Sequence, residues 1–544
     1  MPSPGKLCVC ALITATAVAG VGCATNRVQP VLLPELPRGD GPSLVVLIVI
    51  DQMRGDYLER FLPVLDGGLA WLLDNGAVYT NAHQNHAMTA TASGHASIST
   101  GVEPSRSGII GNGWFNRETG LAEYSAGVSI SPVNLEVTAL GDWFKAADLR
   151  SKVFTASGKD RSAVMMGGQR PDAAYWYSRS DGTWTSSSYY TRAVRPWLAA
   201  FNEQNWLRRY QGVAWEPVLT AEQQADLDIV RLDTGAMRWG FPHALGSYSL
   251  HSGSSFAASI FASPFLDAYL AEFAKTLLDN EQLGMDGSPD LLALSFSALD
   301  SVGHVYGPDS PEVLDVVVRL DALLADLIEH IDATVGLDHV VFGLSADHGV
   351  VALPEVRQLR GQEGRRLKVD DVICVQQAAV RLREEFGDED WLSYDAYLDH
   401  DLIAARGLDH HVMAARLAQL AGACDAVEHV WTAAEIAALP EEGGTVIEQM
   451  FRNNYFPGRS PDVVRQLREH DLYDWQGLGT THGSVYEYDS WVPMIFVGPG
   501  IQAAHIDRRV ATVDIAPTLA SLLGVATPDD LHGVDLTADF RDRR

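Results

Sequence analysis

The chain of 544 residues carries 40 Lys and Arg against 70 Asp and Glu, a formal net charge of −30 at pH 7. That excess argues against a nucleic-acid-binding face, because phosphate backbones attract basic surfaces, and it means that an anionic ligand needs a local positive centre such as bound metal. With 47% hydrophobic and 20% charged residues the composition excludes a disordered chain, and the length predicts one large core carrying insertions or a cap.

At the N-terminus, Lys6 followed by the apolar stretch Leu7 to Val21 reads as a secretory signal, too short to span a bilayer. It ends in Gly20-Val21-Gly22-Cys23-Ala24, which resembles a bacterial lipobox with Cys23 as the lipid-bearing first residue of the mature protein. Gly20 stands where a large aliphatic residue is usual, so cleavage elsewhere stays open. The expected division is a signal peptide over 1–22, a Pro- and Gly-rich tether over 23–42 and a folded domain over 43–544. The mature protein is expected to be exported to the periplasm or cell envelope, lipid-anchored or free. Beyond the signal only Cys374 and Cys424 remain, as one disulfide or as two buried thiols.

Leu44 to Ile50 is a continuous apolar run, the pattern of a strand buried on both faces of a parallel sheet. The pattern returns in Leu291 to Phe296, His339 to Leu344 and Val492 to Val497. Lys152 to Ala156 reads as a further strand. Between the later runs, Glu312 to Ile331 places Val313, Val316, Val317, Leu320, Leu324 and Leu327 at three- and four-residue spacing, which predicts an amphipathic helix. This alternation predicts an α/β fold, a doubly wound and mostly parallel sheet flanked by helices. Two spans break it, about 168–288 and 352–478, and are expected as insertions or a cap. The first includes a predicted hairpin from Tyr175-Trp176-Tyr177 to Trp184, turning at Asp181-Gly182.

Ligands in open α/β sheets gather beyond the carboxyl ends of the strands. Asp51 follows the first run, Asp300 and His304 follow the second, and Asp347-His348-Gly349 follows the third, while His482 lies ahead of the fourth. Singly these are ordinary turn, cap or surface residues. Jointly they supply three carboxylates and three imidazoles, an oxygen and nitrogen set suited to two zinc ions. The stretch Met88-Thr89-Ala90-Thr91-Ala92-Ser93-Gly94-His95 leads into a predicted helix, where a hydroxyl would sit by amides that favour an anion.

The ordered set Asp51, Thr91-Ala92-Ser93-Gly94-His95, Asn112, Lys159-Asp160-Arg161, Asp300 with His304, Asp347-His348 and His482 resembles the alkaline phosphatase superfamily, in particular its periplasmic phosphate-irrepressible members. The closing segment Val513 to Leu519 with Leu522-Leu523-Gly524 is similar too. The resemblance implies an alkaline phosphatase, with one zinc on Asp300, His304 and His482 and a second on Asp51, Asp347 and His348. It implies Thr91 as nucleophile and metal ligand, and Asn112, Lys159 and Arg161 on the phosphoryl oxygens. Relatives often carry proline where this chain has Ser93, which leaves Thr89 as a lesser competitor. The implied partners are small phosphorylated substrates. A phosphodiesterase or nucleotide pyrophosphatase of the same superfamily is the first alternative, and a non-catalytic zinc-holding envelope lipoprotein the second. The Cys/Ser-x-Pro-x-Arg motif of sulfatases is missing at Thr91. His83, His86, His95, His243 and His251 have no spacing that marks them as ligands.

Overall fold

The computed structural model describes residues 41–541 except 191–192, 233–239, 246–255, 442 and 474–478, together with every side chain in that span outside 369–370 and 372–376. The expected signal, Cys23, nearly all of the tether and His251 therefore lie outside the described residues, as does the side chain of Cys374. Cys424 is disulfide-bonded. No described helix is long and apolar enough to cross a membrane.

Leu44–Ile50 forms the central strand of a ten-stranded sheet, and every one of its residues is buried. Val46, Ile48 and Ile50 enter one apolar cluster and Val45, Leu47 and Val49 the other, so the period of two in strand side chains feeds two cores from one uninterrupted run. The strand pairs in parallel with Asp290–Phe296 on one side and with Val340–Ser345 on the other. Parallel pairing continues through Val153–Ser157 to Ala173–Tyr177.

The fourth apolar run differs in direction from its expected parallel setting. Trp491–Val497 lies antiparallel to both Val340–Ser345 and Ala77–His83. The residues before it therefore arrive at the same edge as the residues that follow the parallel strands, which is how His482 joins the others. Backbone hydrogen bonds from Gly349 to Asp489 and from Val350 to Tyr488, at 2.7 and 2.9 Å, fasten the two approaches together.

The helix expected over Glu312 to Ile331 spans Pro311–Thr334. Ser310 caps it, its hydroxyl accepting from the Val313 N–H at 3.2 Å, and Pro311 occupies the first turn where no N–H is needed. Val313, Val316, Val317, Leu320, Leu324, Leu327 and Ile331 are all buried, each contributing roughly 1.5–3 kcal/mol by leaving water. On the opposite face Ile515–Leu522, from the expected closing segment, packs with Leu140–Ala147.

Within the span expected as the first insertion, Ala173–Tyr177 and Trp184–Thr185 extend the main sheet as the predicted hairpin, with Gly182 at φ 79° in the turn. A Cβ there would be strained, which explains the glycine. Trp184 stacks on Phe273 at 4.4 Å between ring centroids, so these aromatics serve the core. The span 352–478 builds its own apolar cluster around Leu382, Trp391, Leu398 and Met413.

Candidate metal centre and nucleophile

Six residues predicted from separate strand ends meet as two groups whose ligand atoms lie within 4.8 Å of one another in each: Asp300, His304 and His482, and Asp51, Asp347 and His348. The histidines share one design. Nδ1 of His304 is 2.8 Å from the Thr480 carbonyl, Nδ1 of His348 is 2.9 Å from that of Gly349, and Nδ1 of His482 is 2.7 Å from that of Thr89. A carbonyl only accepts, so each Nδ1 carries a proton and each Nε2 faces the carboxylates as the ring atom available to a cation.

The carboxylates are crowded and dry. Asp51 and Asp347 are fully buried and Asp300 nearly so, and the Lys159 ammonium stands 2.7 Å from Asp51 Oδ2 and 2.5 Å from Asp300 Oδ2. Burial, then the neighbouring Asp347 charge, pushes the Asp51 carboxyl well above its ordinary range. Burial also acts on Asp300, but Lys159 and His304 outweigh it and hold that carboxyl well below the ordinary range. Burial and the adjacent rings His348 and His304 push the His482 imidazole well down, toward its neutral form. Asp51 Oδ1 and His348 Nε2 are buried with no hydrogen-bond partner. Orphaned buried acceptors of this kind cost free energy unless a cation meets them. The donor set thus fits divalent cations bound by oxygen and imidazole nitrogen.

Thr91 opens the helix Thr91–Thr100 and is buried. Its Oγ1 accepts from Arg161 Nη2 at 3.2 Å and lies 3.5 Å from Lys159 Nζ. One ammonium therefore touches the threonine and a carboxylate from each group. Asn112 Oδ1 accepts from the Ala92 N–H at 2.9 Å, so its amide nitrogen is the end left to donate. Thr89 is arranged differently: its hydroxyl donates to the Ser484 carbonyl at 2.9 Å while its own carbonyl holds His482. Ser93 donates to the Met88 carbonyl at 2.7 Å.

Two residues here were given no role from the sequence. Gln52 takes a left-handed backbone at φ 69°, from which its N–H reaches Asp347 Oδ1 at 3.1 Å and its side-chain amide donates to Asp300 Oδ1 at 2.8 Å. It braces one carboxylate of each group, and its adjacency to Asp51 is the only signal in the sequence. His95, expected to be structural, has Nδ1 2.8 Å from the Thr91 carbonyl and 3.1 Å from Asp347 Oδ2, with Nε2 2.8 Å from Ser295 Oγ. It ties the threonine's helix to a candidate ligand. His83, His86 and His243 pair elsewhere, with Asn81, Glu103 and Glu312.

Gly94 faces Asp347 so closely that a Cβ would lie 2.2 Å from the Asp347 carbonyl oxygen. Gly94→Ala is expected to push that candidate ligand out of place and to cost about 1–3 kcal/mol, as overpacking does. Thermal unfolding together with metal content checks this, and an unchanged value of both would contradict it.

The sequence profile described as Type I phosphodiesterase / nucleotide pyrophosphatase matches residues 45–411. Alkaline phosphatase PhoV of Synechococcus elongatus is 32% identical, covering 98% of both chains. Alkaline phosphatase PafA of Elizabethkingia meningoseptica is 29% identical over 91% of this chain and 94% of its own. The crystal structure of wild-type PafA superimposes with a TM-score of 0.82 at 29% identity, covering 92% of this chain and 99% of that one. The ordered motifs, the sheet and these full-length similarities together show that the chain belongs to the alkaline phosphatase superfamily, close to its PafA-type enzymes.

Proposed function

We propose that this enzyme hydrolyses phosphate monoesters through a covalent phosphothreonine on Thr91, with two zinc ions as cofactors. The observation that carries the reading is Thr91 Oγ1 lying 3.2 Å from Arg161 Nη2 and 3.5 Å from Lys159 Nζ, where both ligand groups converge. Asp51, Asp347 and His348 would hold one ion and Asp300, His304 and His482 the other. When bound, such ions supply a lowered hydroxyl pKa and positive charge for the leaving oxygen. The protein's own groups do the rest. The helix N-terminus places Thr91 Oγ1 for attack, the Oγ1–P bond forms as the ester P–O bond breaks, and water later cleaves the threonine ester. Arg161, Lys159 and the Asn112 amide nitrogen are the donors available to the phosphoryl oxygens.

A monoester dianion exposes more oxygen charge than a diester, so the two cations favour it. Diester hydrolysis is the second reading, supported by the description of the matching family. A purified holoenzyme should turn over an aryl phosphate faster than the matching diester. Arg161→Ala should lower kcat/KM for the monoester by ~10²-fold, the usual loss of one charge-stabilising donor, and should affect the diester less. Equal losses on both substrates, or a wild type that prefers the diester, would favour the second reading.

A further inference from the structure

The helix Ala298–Tyr306 carries two of the candidate ligands, Asp300 in its first turn and His304 in its last. With only nine residues, a shift at its start displaces both side chains. That start is not capped locally. Ser297 stands at the N-cap, yet its side chain makes no capping bond; its hydroxyl lies 3.2 Å from Ser157 Oγ instead. The cap comes from a different helix, Phe265–Glu281, in which Oδ1 of Asp267 accepts from the Ser297 N–H at 3.0 Å and from the Ala298 N–H at 3.1 Å.

The first N–H groups of a helix have no partner within it, and an acceptor placed there stabilises the first turn. A serine at the N-cap would fix only the local backbone. A carboxylate from a packed neighbour also fixes where the helix begins relative to the core. Phe265–Glu281 is such a neighbour, with Leu266, Tyr269, Leu270, Phe273 and Leu277 buried in the main apolar cluster. Asp267 is itself 1% exposed. Burial pushes its carboxyl up to about 7, with the Ala298 and Ser297 amides opposing. Its Oδ2 is buried with no hydrogen-bond partner among the described residues. A half-satisfied carboxyl group in so dry a place is costly, which points to a specific task for Oδ1.

The same joint reaches Lys159. Ser157 Oγ accepts from the Lys159 N–H at 3.1 Å, and the Lys159 ammonium meets Asp300 Oδ2 at 2.5 Å. A Cβ on Gly158 would lie 2.7 Å from Leu266 Cδ2 and 2.9 Å from Ser297 Cβ. The turn before Lys159, the helix of Asp267 and the start of the ligand-bearing helix are therefore in contact.

We infer that Asp267 is a positioning residue for the metal group to which Asp300 and His304 belong: by holding the start of their helix it sets the affinity of that group, and not of the other, for its ion. This rests on the two-zinc reading.

The test titrates zinc into the demetallated full chain and compares wild type, Asp267→Ala and Asp267→Asn. Asp267→Ala should weaken one of the two equivalents about tenfold or more and the other by less than about twofold. Asp267→Asn keeps an acceptor oxygen and should recover most of the loss. Two backgrounds identify the ion concerned. With His348→Ala, which disables the other group, Asp267→Ala should weaken the remaining ion about tenfold; with His304→Ala it should change the remaining ion by less than about twofold. A general loss of stability would weaken both ions alike. Equal losses at the two groups, no loss at either, or an asparagine variant as impaired as the alanine one would overturn the inference. Should Asp267→Ala fail to fold, Asp267→Glu, which keeps the carboxyl group but displaces it by one methylene, should show the same one-sided loss, and unchanged affinity for both ions would overturn the inference. A wild type that takes up no zinc would end the two-zinc reading and this inference together, whereas two equivalents in wild type with an even loss in the variants would end this inference alone.

Discussion

Replacing Thr91 with alanine is expected to lower phosphate release from an aryl phosphate by ~10³-fold or more, the scale of loss when a covalent nucleophile is removed. The fold should survive. Thr91 is buried, but the start of its helix is held independently by the bond from the Ala92 N–H to Asn112 Oδ1 at 2.9 Å, and the substitution removes no other backbone contact. Thr91→Ser keeps the hydroxyl and should retain measurable turnover, and acid quenching during turnover should leave phosphate on wild type and none on Thr91→Ala. Thr89→Ala is the matched control. Its hydroxyl makes a single bond to the Ser484 carbonyl, worth about 1 kcal/mol, and His482 is held by the backbone carbonyl of residue 89, which alanine also provides. Should Thr89→Ala prove the inactive variant and Thr91→Ala the active one, the nucleophile is misassigned.

Removing metal should be nearly as damaging. Two buried carboxylates, Asp51 and Asp300, share one lysine ammonium at contact distance with Asp347 buried nearby, and charges so placed repel one another strongly in a medium poorer than water at screening them. Dialysis of the holoenzyme against a chelator is expected to lower turnover by ~10²-fold or more, because an unassisted threonine hydroxyl is a weak nucleophile near neutral pH. It should also lower the unfolding temperature, since ions that bind only the folded protein at a thousand times Kd contribute about 4 kcal/mol. Zinc should restore both, with two equivalents bound. Full turnover in demetallated protein would remove the basis of the mechanism, and restoration by a single equivalent would leave one of the two groups without a metal role.

Much of the site was legible because its groups follow buried strands directly in sequence. Asp51 comes immediately after Leu44–Ile50, and Asp347-His348 comes one residue beyond Val340–Ser345. A parallel sheet with both faces covered demands such apolar runs, and the turn after each run is where polar residues can resume. The bracing of the site was not legible. Gln52 reads as an ordinary residue beside a candidate ligand, and its role depends on Asp300 and Asp347, which lie 248 and 295 positions away. His95 carries no ligand spacing; only folding brings it within 2.8 Å of Ser295, 200 residues on.

By itself the sequence determined the sheet's buried strands, the long amphipathic helix, and the order of the residues that mark the superfamily, because periodicity and local chemistry are written along the chain. The tertiary structure alone decided that Trp491–Val497 runs against its neighbours and so delivers His482 to the shared edge. Strand direction and side-chain convergence depend on which distant segments pair, and no local pattern of hydrophobicity records that choice.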